Sequence, residues 1–220
     1  MGTALAFQQP RSLFHRGYSL TIRIWHWLTF IIMTASIVMV LLASTLYPTR
    51  EEMTVIQRQV QLNGGSISPA QARVIVHTFN DQIWMVHKYI GFGLCFLLFC
   101  RVIIEAAYSK EERLVAKIRN AFAFQTQNEA QRYDRKHYIL VKFGYVVFYA
   151  LFLIMALSGL GLAFEEVQLF RSIHGLLANI HNIVQYLIYL YIFFHIAGVI
   201  RADLTNSKGI VSRMINGGRS

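Results

Sequence analysis

HNIVQYLIYLYIFFHI, residues 181–196, holds two histidines 14 positions apart with no charged residue between them. At about 100° per residue, that spacing returns to within roughly 40° of its starting direction, so both imidazoles leave one face of a helix. At about 1.5 Å per residue they stand roughly 21 Å apart along its axis. The stretch lies in an apolar block, Leu176–Ile200, which three others precede: Leu20–Leu46, Ile83–Ala107 and Ile139–Phe164. Each runs to about 25 residues, more than the roughly 20 that cross a hydrocarbon core of about 30 Å. The expected fold is all-α: an integral membrane four-helix bundle in up-down-up-down order. With 55% of its 220 residues hydrophobic and gathered into these blocks, the chain has little left for a large soluble core. The first block is too long for a cleavable signal peptide, and no small-residue cleavage site follows it directly.

Charge sets the expected orientation. Net charge is +10, unevenly spread. Residues 1–19 carry Arg11 and Arg16 and no acid, and residues 108–137 carry seven Lys/Arg against four acids. Residues 201–220 add four Lys/Arg against one acid, whereas 47–81 are balanced and 165–175 carry −1. By the positive-inside rule both termini and the middle loop are cytoplasmic, and the other two loops face outward. This points to a multi-pass protein of a bacterial-type inner membrane, in contact with lipid. The basic charge belongs to its cytoplasmic loops, and no nucleic-acid partner is expected. The parts are then a cytoplasmic segment 1–19, a four-helix domain 20–201 and a cytoplasmic tail 202–220.

The outer loop has signals of its own. Thr49 and Glu52 fit a capping box at the start of a short amphipathic helix, and Asn63-Gly64-Gly65 fits its end. Ser68-Pro69 fits an N-cap followed by a first-turn proline, so the second long helix begins as early as residue 69. Cys95 and Cys100 point in different directions on one helix and are expected to be small apolar fillers.

Of eight histidines, four lie well inside apolar blocks: His26, His87, His181 and His195. His26 is six residues after Leu20 and His195 six before Arg201, both near the inner end. His87 and His181 each fall within the first six residues of blocks entered from the outer side. The depths pair His26 with His195 and His87 with His181. An imidazole inside lipid is costly unless something binds it. A bare divalent ion normally recruits more than two protein ligands. A b-type heme needs only two, because the porphyrin supplies four nitrogens. Two hemes b, an inner and an outer, satisfy all four histidines, and bis-histidine ligation suits electron transfer. The plainer alternative is four separate core histidines, each satisfied by a backbone carbonyl. Gly91 and Gly198, close to His87 and His195, leave room for a macrocycle, and Trp25 and Trp27 suit the membrane interface. Arg101, on the face of His87 and at the inner depth, is a candidate partner for heme propionates, as are Arg23 and Arg201. Snorkelling to the cytoplasmic surface is the alternative for each arginine.

RIWHWLT (23–29), VHKYIGFGLCFLLFCRV (86–102), SGLGLAF (158–164), HNIVQYLIYLYIFFHIAGVIRADL (181–204) and SRMINGGR (212–219) together resemble a known family. It is the b-type cytochrome subunit of membrane-bound nickel-iron hydrogenases, with formate dehydrogenase gamma subunits and thiosulfate reductase cytochromes b as relatives. The resemblance covers essentially the whole membrane unit. It implies a di-heme cytochrome whose ligands match His26, His87, His181 and His195. It also implies an iron-sulfur or other redox partner subunit on the outer face, and quinone reacting near the inner face. Asp134 and His137, just before the third apolar block, and Asp203 are candidate quinone or proton-handling residues there; ordinary solvated loop residues are the alternative. The loops do not follow the family pattern. A stand-alone quinone-dependent oxidoreductase resembling bacterial cytochrome b561 has the same four-helix, two-heme core, and a non-redox anchor or transport subunit is a third class.

Overall fold

A computed structural model describes residues 18–46, 49–205 and 209–217. Its described residues are all-α. The helices are α1 (Leu20–Leu46), α2 (Thr49–Leu62), α3 (Pro69–Ala107), α4 (Leu114–Ala123), α5 (Glu129–Ala163), α6 (Gln168–Ser172), α7 (His174–Leu204) and α8 (Ile210–Asn216). Four are long and apolar enough to cross a membrane: α1, α3, α5 and α7. They carry exposed large apolar side chains such as Phe96, Phe99, Phe143, Leu157, Ile183 and Phe193. Side chains of this kind suit contact with lipid tails, and a helix keeps its backbone hydrogen bonds internal, as lipid requires.

Three of the long helices outrun their apolar blocks, two of them from capped starts. Ser68 and Gln71 form a reciprocal box at the start of α3. The Gln71 N–H donates to Ser68 Oγ (3.2 Å) and the Ser68 N–H to Gln71 Oε1 (2.8 Å), with Pro69 between them. At α5 the Gln131 N–H donates to Asn128 Oδ1 at 2.9 Å and the Gln127 N–H to Gln131 Oε1 at 2.8 Å. That helix therefore starts at Glu129, ten residues before the apolar block at Ile139. Asp134 and His137 accordingly sit on α5 rather than in a loop before it, which corrects the sequence reading. α7 likewise runs from His174 to Leu204, past both ends of its block. At α2, the Thr49 side chain of the expected capping box lies outside the described residues.

The chain divides into two compact units. The first comprises Trp25–Cys100 and Leu153–Ile183. Within it α1 and α3 run antiparallel. The Trp25 indole N–H donates to the Leu97 carbonyl at 2.7 Å, Ile32 faces Gly93, and Ser36 meets His87. Trp25 is only 8% exposed, and its indole anchors one helix to another. α5 and α7 also run antiparallel here, with Ser158 against His181 and Gly161 against Leu177. Ala72 and Val76, one turn apart, are fully buried, so α3 is packed well before its apolar block begins.

The second unit comprises the described parts of Met1–Ile24, Arg101–Phe152 and Val184–Ser220. Phe152, Val184, Ile188, Ala116 and Ala121 are buried in it. Glu105, near the end of α3, accepts the Leu114 N–H and so fixes the start of α4. Asp203 accepts the Ile210 N–H at 2.9 Å at the start of α8. At the other end of α8, the Arg23 guanidinium donates to the Ile215 carbonyl at 3.0 Å. Gly217 closes that helix in the left-handed region (φ +79°), a conformation that costs a Cβ-bearing residue more.

Candidate cofactor site

In the first unit, α3 and α7 bring His87 and His181 together with ring centres 6.4 Å apart and ring planes at 90°. Both rings are half-buried. Each uses Nδ1 toward a serine: His87 meets Ser36 Oγ at 3.3 Å and His181 meets Ser158 Oγ at 3.1 Å. Ser158 has one hydroxyl proton, directed at the Ile154 carbonyl (2.8 Å) within α5. Donating to that carbonyl leaves it able to accept from His181 Nδ1, an arrangement that would put the lone pair on Nε2. That is how a metal-ligating histidine is normally held, its second nitrogen fixed by a hydrogen bond. Two imidazoles on one metal place their ring centres roughly 6 Å apart, given about 2 Å per metal–nitrogen bond. The observed spacing fits a single metal atom between the rings.

The helix bearing Ser158 is shaped for this approach. A Cβ at Gly159 would lie 3.1 Å from His181 Cε1, and one at Gly161 would lie 2.6 Å from Leu177 Cδ1. Small residues let membrane helices close on each other, and here they seat the imidazole against α5. Gly91 differs: a Cβ there would meet nothing within 4 Å. Among the described residues no neighbour demands glycine beside His87, so the position suits a flat group lying along α3.

Among the described residues no group of three or more His, Cys, Asp or Glu is arranged around a metal ion. Cys95 and Cys100 are free thiols.

The remaining candidates are distributed as follows. His26 is in the first unit, edge-on to Trp27 with ring centres 5.5 Å apart. His195 is in the second unit, where Tyr191 stacks on it at 6.0 Å and Phe148 stacks on Tyr191 at 5.1 Å. Arg101 donates from Nε to Tyr149 Oη at 2.8 Å and pairs through Nη2 with Glu105 at 2.9 Å. Arg23 holds α8, and Arg201 is exposed near the end of α7. Asp134 is exposed, and so is His137, whose ring stacks on Tyr133 at 6.4 Å. Asp203 is committed to the start of α8. Within the first unit the structure thus brings His87 and His181 together.

Ser36, Ser158 and Gly159 escaped the sequence reading, although the small-residue run SGLG was its visible trace. Lys142 escaped too. It is the sole charged residue between Ile139 and Phe164.

Comparison with known families gives one result. The family described as prokaryotic cytochrome b561 matches residues 17–217, a span that includes all four long helices. No curated protein and no solved structure matches the chain.

Proposed function

The chain belongs to the prokaryotic cytochrome b561 family, and from that premise we propose that it is a di-heme b-type cytochrome of a bacterial inner membrane. It carries electrons between a redox partner outside the membrane and the quinone pool. The observation that carries this reading is the His87–His181 pair, spaced for one iron and steered by Ser36 and Ser158. A bound heme supplies one-electron chemistry by cycling its iron between two oxidation states. The protein's share is to hold the axial nitrogens, and Ser158 does so by fixing the tautomer of His181. His26 and His195 are the proposed ligands of the inner heme, on the sequence argument of matched depth. Asp134 and His137, exposed on α5, are the proposed proton carriers for quinone at the inner edge, where a histidine or carboxylate relays protons near neutral pH. Asp203 is the third proposed group there, in addition to its hold on α8.

The proposed outer partner is an iron-sulfur or other redox subunit, and the chain itself is the electron-transfer subunit of that complex. A second reading, a stand-alone quinone-dependent oxidoreductase acting on a small molecule, is favoured by the description of the matching family. Isolation in mild detergent distinguishes them: the first requires a co-purifying redox subunit, the second an active single chain.

The test of the cytochrome reading is a pyridine hemochrome assay with a redox titration. Two low-spin hemes b per chain, with two midpoints, are expected. His87→Ala and His181→Ala should each remove the same spectral component, and His26→Ala and His195→Ala the other. A chain without heme ends the reading, and a single heme ends the pairing scheme.

A further inference from the structure

The connection between α3 and α5 carries a helix of its own, α4, and both ends of that helix are tied down. At its start the Leu114 N–H donates to Glu105, and the Arg113 guanidinium donates to the Ala106 (3.1 Å) and Tyr108 (3.4 Å) carbonyls. Just past its end the Phe124 carbonyl accepts from Arg135 Nη1 at 2.8 Å. Glu105 and Ala106 close the apolar block that ends at Ala107, and Arg135 stands four residues before the block that opens at Ile139. α3 leaves the lipid on the side where α5 enters it, so the two ties mark the same membrane surface. A helix of 10 residues, about 15 Å long, fastened at that level by both ends runs along the surface.

α4 also has two unlike faces. Ala116 and Ala121 are buried. Val115, Arg119 and Phe122 are spaced by four and three residues, so they project within about 60° of one another. All three are exposed, Val115 by 77% and Phe122 by 65%. The helix contains Lys117 and Arg119 and no acid. Lys117 is half-buried, with Nζ 5.4 Å from the Tyr108 ring centre, which leaves Arg119 as the cation of the exposed face. Two apolar side chains flanking a cation, at the edge of the lipid, suit a helix lying in the interface. The apolar groups enter the acyl boundary while the guanidinium reaches the headgroup phosphates. A soluble acidic partner would satisfy Arg119 alone, whereas the bilayer surface at this level offers both chemistries. We propose that α4 is an interfacial helix whose Val115–Arg119–Phe122 face rests on the bilayer, with Arg119 bound to the phosphate of an acidic phospholipid headgroup. The proposal goes beyond the cytochrome reading and requires no heme, only that the chain spans the membrane.

The test uses the full-length chain in lipid nanodiscs, with Cys95 and Cys100 replaced and one fluorophore attached at Phe122→Cys. A second preparation carries it at Asn120→Cys, an exposed position at least about 100° round the helix from all three residues. Nitroxide-bearing lipid should quench the label at 122, and a water-soluble nitroxide the label at 120. Equal access of the aqueous quencher to both would overturn the proposal. Shielding of the label at 122 from both quenchers would overturn it too, by assigning the face to a protein contact such as a second copy. If the Phe122 variant fails to assemble, Val115→Cys supplies the same reading. The headgroup is tested by competition between phosphatidylglycerol and phosphatidylcholine, read as phospholipid retained after purification. Arg119→Gln should lower the preference for phosphatidylglycerol by about fivefold, the share of one cation at an anionic surface. Arg119→Lys should keep most of it. An unchanged preference in Arg119→Gln would overturn the proposal. Heme content tests the cytochrome reading separately, because it should be the same in Arg119→Gln and in the unmodified chain.

Discussion

At the scale of single residues, the histidine pair depends on groups that carry no ligand chemistry themselves. Ser158 hydrogen-bonds His181 Nδ1, and Gly159 clears the space its ring occupies. Losing a hydrogen bond to a metal-ligating histidine typically costs about 10–100-fold in metal affinity. Ser158→Ala should accordingly lower occupancy of the outer heme by a similar factor, measured as the amplitude of that component after purification. Gly159→Val drives two methyl groups toward the imidazole, and overpacking of this sort costs about 1–3 kcal/mol. It should abolish the same component while leaving the other heme in place. Wild-type heme content in both variants would show that the serine and glycine serve helix packing alone. Neither residue stands out in the sequence, because serine and glycine are common in membrane helices. The four histidines stood out because a polar ring inside lipid is rare.

At the scale of elements, the apolar blocks made the four long helices legible, each block lying almost wholly within its helix. Their ends were less legible. Polar capping residues extend α3 and α5 beyond the lipid-crossing segments, and hydropathy does not register a helix that stands in water. For α3 the Ser68-Pro69 signal was readable; for α5 the Asn128 cap was hidden in a polar loop. Arg23 shows a different limit. It lies 192 positions before the carbonyl it bonds, a relation that spacing along one helix does not reveal. That contact gives a prediction for α8. Arg23→Ala should release the helix end, since a charged hydrogen bond at an exposed site contributes roughly 1 kcal/mol. Amide exchange across residues 210–217 should rise about fivefold, the factor that 1 kcal/mol represents. Unchanged exchange would mean that Asp203 alone suffices to dock α8.

At the scale of the whole molecule, orientation in the membrane follows from charge. The basic middle loop and tail should lie on the cytoplasmic side and the α2 segment outside. Single cysteines introduced at Lys110 and at Gln61, in a background with Cys95 and Cys100 replaced, test this with a membrane-impermeant thiol reagent on intact cells. Labelling is expected at Gln61 alone, and labelling at Lys110 would invert the assignment. The part of α3 ahead of Ile83 has a further consequence. Fourteen of its residues, about 21 Å of helix, come before Ile83, capped at the tip and carrying exposed Val74 and Phe79 beside the buried Ala72 and Val76. A loop of that length would have to surrender its freedom whenever another molecule settled on it, a loss of about 1–2 kcal/mol for each residue fixed. A helix has met that loss during folding. Association on this face should therefore proceed with little entropic penalty from the receiving surface, at a rate set by diffusional encounter.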